Sequence, residues 1–139
     1  MDDRDGIDPK TGKAFRVLIC DDNEPEAHAL KQLLLTHGYI VPATPVDGRE
    51  LVTWLRKNPG EADLVLLDII MPRLDGFAAF WEIKQLKPFP RIVFMSAENS
   101  SAVIRHVLEN GAYDYVTKPI NRVKLLDRVK VAVRRPPPA

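Results

Sequence analysis

The stretch LVLLDIIMPRLDG, residues 64–76, decides how this chain is read. Leu64, Val65, Leu66 and Leu67 form an unbroken apolar run, short enough for a strand and apolar enough for one covered on both faces, as in a parallel sheet. Asp68 ends that run. A carboxylate at the carboxyl end of a buried strand stands in the crevice where open α/β sheets bind their ligands, so Asp68 is either a chemical group or a turn cap ahead of Pro72. The other strand ends must decide between the two.

Toward the C-terminus, Asp75 reads as the cap of a helix carrying Phe77, Phe80, Ile83 and Leu86 at three- and four-residue steps and ending before Pro88. Residues 92–95 are a second continuous apolar run, closed by Ser96. Ser100 or Ser101 caps a helix with Val103, Ile104, Val107 and Leu108, which Gly111 stops. Residues 113–117 form a strand ending in Lys118-Pro119. A last helix starts near Asn121, buries Leu125, Leu126, Val129 and Val133, and gives way to Arg134-Arg135 and three prolines.

Toward the N-terminus, residues 48–57 form a short helix with Leu51, Trp54 and Leu55 on one side, broken by Asn58-Pro59-Gly60. Residues 39–44 read as a short strand, assigned to the sheet edge because Pro42 has no N–H to donate. From Glu24, the residues Ala27, Leu30, Leu33 and Leu34 recur at helical spacing, with Pro25 in the first turn and Gly38 as the stop. Residues 15–20 form a strand that runs directly into Asp21 and Asp22. Residues 1–14 are polar and aperiodic, which predicts a flexible leader or an extension lying on the surface. The expected organisation is a leader at 1–14, one domain at 15–134, and a proline-rich tail or truncated linker at 135–139.

Strands and helices alternate five times, which predicts an α/β fold with a doubly wound parallel sheet and helices on both faces. A chain of 139 residues is long enough to bury a core without disulfides. Its 20 Lys plus Arg against 19 Asp plus Glu name no polyanionic or polycationic partner. Cys20 is the sole cysteine, so an internal disulfide and a multi-cysteine zinc site are both excluded. No apolar run approaches the ~20 residues of a membrane span, and the acidic start is unlike a signal peptide. A cytoplasmic protein with no membrane association is expected.

In this reading the strand ends carry Asp21 and Asp22, Asp68, Ser96 and Lys118, so every strand but the edge one delivers a reactive group to one rim. Each has an ordinary explanation alone; their coincidence does not. Carboxylates gathered there repel one another by roughly 3 kcal/mol per pair at about 5 Å and an effective dielectric of about 20. Oxygen ligands with one lysine, and no histidine or cysteine at those ends, suit Mg²⁺ (or Mn²⁺) together with a phosphoryl group. The residues therefore point to metal-assisted phosphorylation of Asp68, with Lys118 and Ser96 on the phosphoryl oxygens.

With Asp21-Asp22, Asp68, Met71-Pro72, Asp75-Gly76, Ser96-Ala97 and Lys118-Pro119 in this order, residues 15–134 resemble the receiver domain of a two-component response regulator. The resemblance implies a flavodoxin-like (CheY-like) five-stranded sheet of order 2-1-3-4-5. It implies Asp68 as phosphoacceptor, with a sensor histidine kinase or histidine phosphotransfer protein as donor. The metal ligands would be Asp22 directly, Asp21 largely through water, Asp68, and Ile70 through its backbone carbonyl. Lys118 and Ser96 would contact the phosphoryl group, and Ser96 with Tyr115 would form the switch, the ring turning inward as the hydroxyl moves toward the phosphate. Such a domain is not a conventional enzyme; it catalyses its own phosphorylation and dephosphorylation at Asp68.

Ser96 stands where threonine is frequent, and Ile70 where many receivers carry a polar side chain; Ile70 offers the metal only its backbone and no group to orient an attacking water. Two rivals remain. A phosphatase or mutase of the haloacid dehalogenase type wants a second aspartate where Ile70 stands, and a pseudo-receiver would bind partners without phosphorylation. The stretch 118–135 is basic, with Arg122, Lys124, Arg128, Lys130, Arg134 and Arg135 against Asp127. Either it is a solvated face, or the 100–134 surface docks an effector or a second protomer; no motif there reads nucleic acid.

Overall fold

Side chains alternate across each strand, and that alternation dictates the layering. A computed structural model describes residues 4–71 and 73–138. Residues 1–3 of the expected leader, Pro72 of the loop motif and Ala139 of the expected tail lie outside the described residues. Strands β1 (Val17–Cys20), β2 (Leu64–Asp68), β3 (Arg91–Ser96) and β4 (Asp114–Thr117) pair in parallel in the order β1-β2-β3-β4. Val17, Ile19, Leu64, Leu66, Val93 and Met95 line one face, while Leu18, Cys20, Val65, Leu67, Phe94 and Tyr115 line the other. Helices α1 (Glu24–Thr36) and α5 (Arg122–Arg134) cover the first face through Ala27, Leu30, Leu34, Leu125 and Val129. Helices α2 (Gly48–Lys57), α3 (Gly76–Ile83) and α4 (Ser101–Glu109) cover the second through Leu51, Leu55, Phe80, Ile83 and Val107.

Helix starts follow local chemistry. The side chains of Asn23, Asp47, Asp75 and Asn121 each accept a backbone N–H from the residue three further on, at 2.9 to 3.0 Å, satisfying donors that the first turn cannot pair. Ser100 occupies the cap position of α4 without a side-chain bond. Leu86, expected within α3, lies beyond its end at Ile83, in a tight turn closed by Gln85 N–H to Glu82 O and Leu86 N–H to Ile83 O. Pro88 restricts the backbone of Lys87, so this turn is not extended into further helix.

The expected five-stranded sheet of order 2-1-3-4-5 is corrected to four strands among the described residues. Residues 39–45 do run beside β1 on its open edge, but pairing is limited to one parallel bridge, Arg16 to Ile40. Ile40 N–H donates to Phe15 O at 3.0 Å and Val17 N–H to Ile40 O at 2.8 Å. The next donor of a parallel ladder falls two residues on, at Pro42, which has none. Contact resumes only where Asp21 N–H reaches Pro45 O at 3.2 Å. Pro42 thus converts an edge strand into an edge strap.

Residues 4–14 fold into turns against the α1–α5 edge. Gly6 N–H donates to His37 O at 2.8 Å, Phe15 N–H to Gly6 O at 2.7 Å, and the Arg134 guanidinium to Asp5 O at 2.9 Å. A side chain at Gly6 has no room, since its Cβ would lie 2.2 Å from Tyr39 N.

Restoring the missing donor should restore the strand. Pro42→Val is expected to create an amide at position 42 that is protected in hydrogen exchange, with a net stability change within about 1 kcal/mol because the added bond offsets the looser unfolded chain. A fully unprotected amide there would show that Pro42 is not what interrupts the ladder.

Candidate functional site

Parallel pairing in this register brings the strand ends flush. Cys20 pairs with Leu67, Asp68 with Met95, and Ser96 with Thr117, so the residues that follow β1 and β4, Asp21 and Lys118, stand beside Asp68 and Ser96. Asp21, Asp68 and Ser96 are buried, at 1%, 6% and 1% exposure, whereas Asp22 faces solvent. Carboxylate oxygens of Asp21, Asp22 and Asp68 all lie within 4.8 Å of one another. All four expected strand-end positions are thereby brought together.

Lys118 is the counter-charge. Its Nζ donates to Asp21 Oδ2 at 3.1 Å and Asp68 Oδ2 at 3.2 Å, and lies 3.3 Å from Glu26 Oε1. The one ammonium thus donates to two carboxylates and pairs in charge with a third. Glu26, in the first turn of α1, is a participant that sequence reading missed, since an acidic residue near a helix start is common for other reasons. Burial pushes the Asp68 carboxyl up to about 6, with the charge of Asp21 adding to the rise and Lys118 and the Ile70 N–H opposing it. Burial alone would lower Lys118; the bonds and charges of Asp21 and Asp68 outweigh it and hold the ammonium up at about 12.

The remaining positions are placed as follows. Ser96 Oγ accepts the Glu98 N–H at 3.1 Å. Tyr115 lies inward, 7% exposed, in the core under α4, and its hydroxyl donates to the Glu98 carbonyl. Burial raises this phenol, against the influence of the neighbouring Ser96 hydroxyl. Ile70 projects at the rim with 70% of its surface exposed.

On the 100–134 surface several cations already have partners. Arg128 bonds Asp114 at 2.7 Å, Lys130 lies 3.7 Å from Asp5, and Arg134 reaches Asp5 O. Val123 and Val131 stand exposed among them at 79% and 53%. Among the described residues, no helix is long and apolar enough to cross a membrane.

Comparison with known proteins gives relatives over most of the chain. The family described as response regulator receiver domain matches residues 17–130. The chain is 34% identical to a chemotaxis protein CheY of Treponema pallidum over 118 residues, 85% of this chain and 82% of that one. It is 32% identical to CheY of Bacillus subtilis over 116 residues, 84% of this chain and 95% of the other. The CheX-CheY-BeF3-Mg complex of Borrelia burgdorferi superposes with a TM-score of 0.90 at 31% identity, covering 97% of this chain and 100% of that one. The fold is therefore the flavodoxin-like α/β type expected, with four regular strands.

Titration of the rim should register in stability. The folded state keeps the Asp68 proton up to about pH 6, while an unfolded aspartate releases it near 3.8. The native state then binds more protons across that window, so stability falls as pH rises through it. Asp68→Asn removes this penalty. In excess chelator the variant should melt higher than the wild type at pH 7, by up to roughly 3 kcal/mol, and lose that advantage near pH 4. Equal melting curves at pH 7 would show that Lys118 already neutralises the site.

Proposed function

The chain belongs to the response regulator receiver domain family, and on that premise we propose that Asp68 accepts a phosphoryl group from a histidine kinase or histidine phosphotransfer protein, with Mg²⁺ at the rim. The observation that carries this is the Lys118 ammonium set between Asp21 and Asp68 at a rim of three converging carboxylates. One ammonium cannot neutralise three carboxylates. The donors are all oxygens, which is what a hard divalent cation takes. Asp21, Asp22, Asp68 and the Ile70 carbonyl would hold it, and when bound it would neutralise charge on the incoming phosphoryl group.

An Asp68 carboxylate oxygen attacks phosphorus, the bond from phosphorus to the donor imidazole breaks, and the imidazole nitrogen keeps the electron pair. Once phosphorylated to the acyl phosphate, Asp68 is a poorer acceptor, so the Lys118 donor directed at it turns to a phosphoryl oxygen while the ammonium keeps its bond to Asp21 and its ion pair with Glu26. The Ile70 side chain offers no group to orient a hydrolytic water. The phosphoryl group favours the arrangement in which the Ser96 hydroxyl reaches it and Tyr115 stays inward beneath α4, a shift of populations driven by that differential contact. The readout surface is formed by α4, β4 and α5, offered to an effector or a second protomer.

Small acyl-phosphate donors should label the wild-type chain only with Mg²⁺ present and should leave Asp68→Asn unlabelled. Label on that variant, or equal labelling in excess chelator, rules out the assignment. Ser96→Ala should still be labelled, but with a much smaller phosphorylation-dependent change in NMR shifts across residues 103–108 and 125–133. Shifts of wild-type size would mean that the signal leaves by another route.

A further inference from the structure

A buried carboxylate needs a partner, and Asp47 at the start of α2 is as buried as Asp21, each 1% exposed. One of its oxygens caps α2 by accepting the Glu50 N–H at 2.9 Å; the other accepts Arg73 Nε at 2.7 Å and pairs with Nη2 of the same guanidinium. Arg73 lies in the loop between Asp68 and α3, with a φ of 66° that side-chain-bearing residues seldom adopt. Its Nη2 also lies 3.6 Å from Glu50. Backbone bonds fasten the same loop: Gly48 N–H donates to Leu74 O at 2.9 Å and Gly76 N–H to Ile69 O at 2.7 Å. The fit leaves no slack, since a Cβ at Gly48 would sit 2.3 Å from Leu74 O. Arg73 is the side chain that closes this tie, and the tied loop is the one that carries Ile70, two residues after Asp68 at the end of β2.

We propose that Arg73 is a positioning residue: its salt bridge to the buried Asp47 holds the loop so that the Ile70 backbone is presented to Asp68 and the cation, and so sets the Mg²⁺ affinity of the rim. The inference rests on the metal reading above. Groups that orient ligands from behind change metal affinity by about 10- to 100-fold when removed. Charge alone predicts the opposite sign, because deleting a cation near acidic ligands strengthens the binding of a divalent ion. Direction therefore separates positioning from electrostatics.

The test is calorimetric Mg²⁺ titration of the unphosphorylated chain. Arg73→Ala should weaken binding at least about tenfold. Arg73→Gly, which accommodates the left-handed backbone, should be weakened alike if the guanidinium matters and not the φ. The double variant Arg73→Ala/Asp47→Asn, whose net charge equals that of the wild type, should be no weaker than the worse single variant, since both changes break one bridge. Should Arg73→Ala fail to fold because Asp47 is left unpaired, the double variant decides: weakened binding supports the bridge, and wild-type affinity overturns it. Arg73→Ala binding as tightly as the wild type, or more tightly, also overturns it. A wild-type chain that takes no Mg²⁺ overturns the metal reading and this inference together, whereas wild-type binding with an unaffected Arg73→Ala overturns the bridge alone.

Discussion

Sharing of one ammonium among Asp21, Glu26 and Asp68 is the interaction on which the site depends. The sheet forces the arrangement. Hydrophobic burial on both faces sets the parallel register, and that register stands carboxylates side by side regardless of their repulsion. Lys118, delivered by the far strand, supplies the compensation that the protein itself can offer. Burial and the charge of Asp21 push the Asp68 carboxyl up against the ammonium that faces it. A rim in that condition gains from any further positive charge.

From this rim two lines of contact lead outward. Ser96 connects through Glu98 to Tyr115, whose ring packs in the core that α4 covers. The loop after Asp68 connects through Arg73 to Asp47 and thus to the start of α2. The first line ends on the α4–α5 side, where Val123 and Val131 are exposed, and the second ends within the α2–α3 layer. Each is a short chain of bonded groups between a charged site and a packed helix, so a change of charge at Asp68 meets resistance or response in packing and not only in solvent.

Most of the architecture was legible in the sequence because apolar runs and helical periods are local. The run 64–67 and the cap residues Asn121 and Asp75 place β2, α5 and α3 without reference to anything distant. The edge segment was misread for a reason that is also local but subtler. Pro42 suits an edge position, but its missing N–H falls at the one donor the ladder needs next, so the segment lies in place without becoming a strand. Leu86 keeps the apolar spacing of α3 but lies past its end, because spacing marks a face and not where the helical bonds give way to the tighter turn at 85–86.

What the sequence by itself determined is which groups end the strands: Asp21, Asp22, Asp68, Ser96 and Lys118 follow from where each apolar run stops. Only the tertiary structure decided how those groups are used. Distances from Lys118 to Glu26, the inward Tyr115, the shifted Asp68 carboxyl and the Arg73–Asp47 bridge all join residues far apart in the chain. Local pattern carries information about which face a residue takes, because that depends on backbone period. Pairing and desolvation depend on packing between elements, and no short-range signal encodes them.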